Sequence, residues 1–192
     1  MKTNLKNLAL VLLVSTLTIV GCQEALSPTA PVDNVTIQDI NTPPPGVKFL
    51  KLERMSLKGA TPSSTACDEA TLHPSVGGTV GGDETFGNMV YIPAGSFSKP
   101  TTFSVCANEG ESFSYVDFGP SMKFKKKVYI TLDFSEYDLS EGEFASLKIY
   151  YWDASRGKNG RWVMVNNPSQ YDKTEETIST WVSHFSRYAF GN

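Results

Sequence analysis

The chain has 192 residues, a formal net charge of -3 and 40% hydrophobic residues, which suits one folded domain with extensions. It carries no excess of basic residues, so composition excludes a global nucleic-acid-binding signature. No residue pattern calls for a cofactor.

The N-terminus reads first. Lys2 and Lys6 precede an uncharged apolar run from Leu8 to Val20, and Ile19-Val20-Gly21-Cys22 closes it. This is the layout of a secretory signal peptide over residues 1–21, too short and wrongly flanked to span a bilayer as a helix. Its last four residues resemble the lipobox of bacterial lipoproteins. The resemblance implies cleavage before Cys22 and a diacylglyceryl thioether on its sulfur. Each buried CH₂ of such palmitate-type chains adds about 0.8 kcal/mol, so several chains hold a protein on a membrane without spanning it. The expected address is extracytoplasmic, at the cell envelope, and the outer membrane where a cell has two.

Residues 22–46 shift to Pro, Thr, Asn, Asp and Ala and end in Pro43-Pro44-Pro45-Gly46. Such a segment cannot bury a core and is expected to be a disordered tether reaching roughly 60 to 70 Å at about 3 Å per residue. Residues 47–74 stay open. Val47 to Arg54 is a candidate first strand, and the polar stretch around Cys67 is either a peripheral strand or more linker. With Cys22 spent on lipid, Cys67 and Cys106 remain as an even pair in a compartment where disulfides persist. Closing a loop of about 40 residues would contribute roughly 4 kcal/mol, less any native strain. Metal binding is the weaker alternative, since no CxxC or HxxxH pair accompanies them.

From Ser75 onward short apolar or alternating runs are separated by Gly, Pro, Asn or Asp. The runs span 78–80, 89–93, 101–107, 113–118, 128–134, 147–152, 162–165, 177–182 and 185–190. No convincing amphipathic helix interrupts them, so the expected fold is an all-β antiparallel sandwich over residues 75–192, with a barrel as the other closure. In Val128-Tyr129-Ile130-Thr131-Leu132-Asp133-Phe134 the even positions are all apolar and are expected to face the core. Lys123, Lys125, Lys126 and Lys127, just before it, could meet phosphates, but protection of an edge strand is the favoured reading. Trp152, Trp162 and Trp181, with Tyr150 and Tyr151, could form an exposed sugar platform, but packing is the commoner fate of such residues.

Several catalytic patterns are absent or poor. There is no GxSxG, HExxH or P-loop. Ser155 and Lys158 fit SxxK by spacing alone, in a Gly/Asn-rich turn. Gly77-Gly78 and Gly81-Gly82 suit tight β turns, and His73 has no partner of metal-ligand spacing nearby. The informative stretch is Ile178 to Phe190, read as the last strand region. In a regular strand His184 and Ser186 would share the face of Ile178, Val182, Tyr188 and Phe190. Either that pair is buried and hydrogen-bonded, or a bulge near Ser183 turns Phe185 inward and His184 out.

The order of landmarks resembles a known family. Gly77-Gly78-Thr79-Val80, Val90-Tyr91-Ile92-Pro93-Ala94-Gly95-Ser96-Phe97, the strands at 128–134 and 147–153, Arg161-Trp162 and His184-Phe185-Ser186-Arg187-Tyr188 together resemble the ZU-five domain, named for zonula occludens and uncoordinated-five proteins and also found in ankyrins. The resemblance covers about Ser75 to Phe190. It implies a β-sandwich that works as a protein-interaction or structural module. Some members cut themselves between Phe and Ser of the His-Phe-Ser motif. Carried onto this chain, Ser186 would be the nucleophile, His184 the base and the Phe185 carbonyl the site of attack. Many members keep the motif uncut, and Arg187 stands where some cleaving ones have an aromatic residue.

The expectation is therefore a lipid-anchored envelope protein with a non-catalytic binding or scaffold domain. Self-cleavage at Phe185-Ser186 and carbohydrate binding are the rival functions, and the partner would be a protein or a glycan.

Overall fold

A computed structural model describes residues 39–51, 65–135, 137, 139–166 and 170–192. The expected signal peptide, Cys22 and most of the expected tether lie outside the described residues. The rest is nearly all β. Eleven strands run in chain order: β1 (Thr65–Leu72), β2 (Gly77–Gly81), β3 (Met89–Pro93), β4 (Thr101–Asn108), β5 (Tyr115–Gly119), β6 (Lys123–Asp133), β7 (Lys148–Asp153), β8 (Arg161–Met164), β9 (Gln170–Asp172), β10 (Thr177–His184) and β11 (Arg187–Gly191). Among the described residues one short α-helix, α1 (Glu141–Ser146), precedes β7, with Ser140 and Glu143 capping its N-terminus reciprocally.

The strands form two antiparallel sheets packed face to face, as the sequence leads one to expect. One has six strands in the order β1-β4-β5-β11-β7-β8, and the other five in the order β2-β3-β6-β10-β9. The alternation in β6 is realised in full: Val128, Ile130, Leu132 and Phe134 are all buried. They meet Phe103, Val105, Phe118, Ile149 and Tyr188 of the opposite sheet in one continuous core. Stripping such side chains from water contributes roughly 1.5–3 kcal/mol each.

Turn chemistry sets the ends of β2 and β3. Gly77 has φ +69, and a Cβ there would lie 2.2 Å from the Ile92 carbonyl oxygen, so only glycine fits the start of the hairpin. The IPAGSF turn after β3 buries Ser96 and Phe97. Its backbone is tied by Gly95 N donating to the Pro74 carbonyl (2.7 Å) and Lys125 N to the Ser96 carbonyl (2.8 Å).

Three expectations change. In the described part of the candidate first strand, residues 47–51, there is one isolated bridge, Phe49 to Gly191, and no ladder. This part serves instead as a strap over the six-stranded sheet. Lys48 and Asn192 exchange backbone hydrogen bonds (both 3.2 Å), Leu50 N donates to the Phe190 carbonyl, and Ser114 N to the Leu50 carbonyl. The residues just before it are engaged too, since Ile40 and Val47 pack against the cluster around Phe49. The polar segment around Cys67 is β1, an edge strand paired with β4 over all eight residues.

The second change concerns the lysines. β6 lies between β3 and β10 in its sheet, so Lys123, Lys125, Lys126 and Lys127 belong to no edge strand and line only an overhang of a central one. They occupy the end of β6 that runs past the last β3 pairing, Tyr91 with Tyr129, and Lys126 Nζ donates to the Ala94 carbonyl (2.7 Å). Third, Ile178 to Phe190 is two strands in two sheets. β10 pairs with β6 and β9, whereas β11 pairs with β5 and β7. The chain crosses between the sheets at Phe185-Ser186.

Candidate functional site

The crossover resolves the phase conflict in favour of the bulge. The register of β10 against β6 shifts between Val182 and His184, which turns Phe185 into the core. Its ring contacts Phe124 (4.6 Å), Phe118 (5.5 Å) and Phe103 (5.9 Å). Ordinary alternation resumes after the crossing, and Tyr188 and Phe190 are buried in the other sheet.

The crossover backbone is held on both sides. Phe185 N donates to the Met122 carbonyl (3.0 Å), and the Ser186 carbonyl accepts from Phe118 N (3.2 Å). The buried Tyr188 hydroxyl donates to the His184 carbonyl (3.0 Å). Desolvation, reinforced by Tyr151, pushes the Tyr188 phenol far above its ordinary pKa.

The two side chains of the proposed cutting pair face different neighbours. Ser186 Oγ donates to the backbone carbonyl of Trp152. His184 is half-buried with its ring edge-on to Tyr151, centroids 4.8 Å apart. The two share no hydrogen bond. Desolvation lowers the His184 pKa, with Lys123 adding to the effect and Asp153 opposing it. Asp153 is itself engaged, accepting from Ser155 N (3.0 Å) and Ser155 Oγ (2.6 Å) and pairing with Arg156 (3.2 Å). The same contacts hold Ser155 as a turn residue.

Cys67 and Cys106 are bonded to each other. They are directly opposite residues in the β1–β4 ladder, so the disulfide ties the edge strand to its neighbour. His73 is exposed in the turn after β1, with Nδ1 2.8 Å from Ser75 Oγ. Among the described residues no group of three His, Cys, Asp or Glu side chains could hold a metal ion, and no helix is long and apolar enough to cross a membrane.

The five aromatics considered as one sugar platform do not share a surface. Trp162 is only 3% exposed, packed under Phe49 (4.8 Å) and against Trp152 (5.7 Å). Tyr150 leans on Phe49 as well, and Tyr151 meets His184 and Tyr188. The strap covers part of this group, because Phe49 fills the space between Phe113, Tyr150 and Trp162. Trp181 alone lies in the other sheet.

There it joins a row that reading the sequence for tryptophans missed. Tyr91 in β3 is opposite Tyr129 in β6, and Tyr129 is opposite Trp181 in β10. Tyr129 and Trp181 are in contact, with centroids 5.0 Å apart. The signal was present as a tripeptide used three times: Val90-Tyr91-Ile92, Val128-Tyr129-Ile130 and Thr180-Trp181-Val182. In each the outer two residues are buried, so strand alternation sends the aromatic to the solvent face.

No family model matches the chain, and no curated protein does.

Proposed function

We propose that the chain is a lipid-anchored protein of the bacterial cell envelope whose ZU-five-like β-sandwich acts as a non-catalytic binding or scaffold module. The signal peptide and Ile19-Val20-Gly21-Cys22 support the anchor, and the Cys67–Cys106 disulfide suits an oxidising compartment outside the cytosol. One observation carries the non-catalytic half of the reading. The Ser186 hydroxyl spends its proton on the Trp152 carbonyl, while His184 stacks on Tyr151. A serine becomes a useful nucleophile when a base takes its proton; here the hydroxyl acts as a clamp between the crossover and β7.

Two experiments test the two halves separately. Radiolabelled palmitate is expected to enter the wild-type protein and not a Cys22→Ala variant; equal labelling removes the anchor. Intact mass under denaturing conditions is expected to give one uncut mature chain. A pair of masses summing to a cut between Phe185 and Ser186 replaces the module by the self-cleaving alternative.

A further inference from the structure

We propose that the solvent face of the five-stranded sheet binds a soluble, uncharged polysaccharide, with Tyr91, Tyr129 and Trp181 as the stacking row. This deepens the binding-module reading and rests on it. The sugar-binding assay reads ligand retention and not acylation or cleavage, so its failure is distinguishable from failure of the anchor or of the uncut chain.

Register builds the row. Thr79, Tyr91, Tyr129 and Trp181 are consecutive partners across β2, β3, β6 and β10. From Tyr91 to Trp181 is two strand spacings, about 9.5 Å, room for consecutive rings of a glycan lying across the strands. The apolar C–H face of a sugar ring meets the electron-rich face of an aromatic ring favourably, as the quadrupole of the ring requires. Adjacent strands are also rotated by roughly 20–25°, so the row turns along its length. A twisted row follows one flexible chain in solution better than the flat face of an insoluble crystallite.

Charge selects among possible ligands. The parallel row beside the aromatics holds Met89, Thr131, Ser179 and Gln170, none of them ionisable. Its polar groups are already oriented: Tyr129 donates its phenol proton to Gln170 Oε1, and the Thr131 and Ser179 hydroxyls pair at 2.9 Å. Charged residue types in β6 stand off both sides of these rows, Lys123, Lys125, Lys126 and Lys127 before Tyr129 and Asp133 after Thr131. A neutral polyhydroxyl chain lying across the strands fits these uncharged rows, whereas a polyanion would be drawn off them toward the lysine end of β6 and away from Asp133.

The open rings of the row alone are smaller than a protein interface. Tyr91 is 48% exposed and Trp181 43%, leaving roughly 200 Å² of ring surface open. A stable protein interface needs about 800 Å² from each partner. The open ring surface suits a few sugar rings.

The test is native affinity electrophoresis of the full-length protein in detergent, through gels containing hydroxyethylcellulose, galactomannan or xylan, with polygalacturonate as the acidic comparison. We expect retardation by at least one neutral polymer. Trp181→Ala and Tyr91→Ala are expected to weaken it about tenfold each, with thermal midpoints unchanged because both side chains project from the sheet. Tyr171→Ala, similarly exposed at 41% but outside the row, is expected to retain binding. The proposal is overturned by no retardation in any neutral polymer, by retardation in polygalacturonate alone, or by equal losses in Trp181→Ala and Tyr171→Ala. A dimer in sedimentation that Trp181→Ala dissolves would likewise give the face to a second copy.

Discussion

Arg187 lies directly opposite Asp117 in the β5–β11 ladder and grips both oxygens of its carboxylate, Nε at 2.8 Å and Nη2 at 3.0 Å. Its guanidinium also stacks on Tyr115, 3.7 Å from the ring centroid. The residue after the crossover is thus an anchor for the strand that the crossover launches. A fork of two charge-assisted bonds plus a cation–π contact is strong for a pair in which Asp117 is 40% exposed, though solvent screens part of it. Arg187→Ala is expected to cost about 1–2 kcal/mol in urea denaturation. Arg187→Lys should recover less than half of that, because a lysine has the charge and lacks the planar fork.

Phe185 and Ser186 are predicted to separate in the same measurement. Phe185→Ala removes a buried ring held by three other aromatics and should cost about 3–5 kcal/mol. Ser186→Ala deletes one hydrogen bond to the Trp152 carbonyl and should cost about 1 kcal/mol. Its intact mass should match that of the wild type apart from the substitution. If the wild-type chain is cut and Ser186→Ala is whole, the hydroxyl is a nucleophile and the structural reading of the crossover fails.

The layered β architecture is legible in the sequence where burial is one-sided. In 128–134 the period of two is unbroken because one face of β6 meets the core and the other meets water, and the structure places those residues accordingly. That architecture is hidden where a second force sets the conformation. Val47 to Leu50 is apolar because Phe49 plugs a gap between Phe113, Tyr150 and Trp162, not because it pairs in a ladder. β1, with sequence TACDEATL, has no buried residue to announce it; the ladder to β4 and the disulfide hold it. At the crossover the residues pointed to two solutions, and the register shift at Val182/His184 selects the bulge. The aromatic row was legible from three tripeptides, but only pairing register shows that they stand side by side.

The strap makes its own prediction. Phe49 is 4% exposed and meets Phe113, Tyr150 and Trp162 with centroids 4.8 to 5.3 Å apart. Phe49→Ala should cost about 3–5 kcal/mol and uncover the indole of Trp162. The check is red-shifted tryptophan emission at temperatures well below unfolding. Emission unchanged from wild type would mean that the strap does not shield that ring.

Breaking the disulfide should act mainly on the edge strand. Cys67→Ser with Cys106→Ser frees a loop of 39 residues' separation, for which chain entropy gives roughly 4 kcal/mol, less any native strain. Because β1 lies at the edge of its sheet and pairs with β4 alone within it, hydrogen exchange should accelerate first in Thr65–Leu72 and leave β6 protected. Uniform acceleration over both strands would show the bridge stabilising the whole sandwich instead.

The last prediction is a pH dependence centred on His184. Three kinds of group face its ring: Asp153 from the end of β7, which favours the proton, Lys123 from β6, which disfavours it, and the aromatic wall of Tyr151. Burial is the largest effect, and the pKa of the folded state lies below the ordinary value of about 6.5. Between the folded pKa and that value the unfolded chain binds more protons than the native one, so stability must fall as pH falls through this window. Above about pH 6.5 both states are neutral at this ring and the dependence vanishes. The thermal midpoint is therefore expected to drop as pH falls below about 6.5 toward the lowered folded pKa, and His184→Gln should flatten the drop. The carboxylates of Asp153 and Glu143 have lowered pKa values, so the stability they contribute is lost only in more acid solution, as pH falls through their own folded values. A midpoint that rises on acidification in the wild type, and not in His184→Gln, would mean that attraction to Asp153 outweighs burial and that His184 is held charged at the crossover.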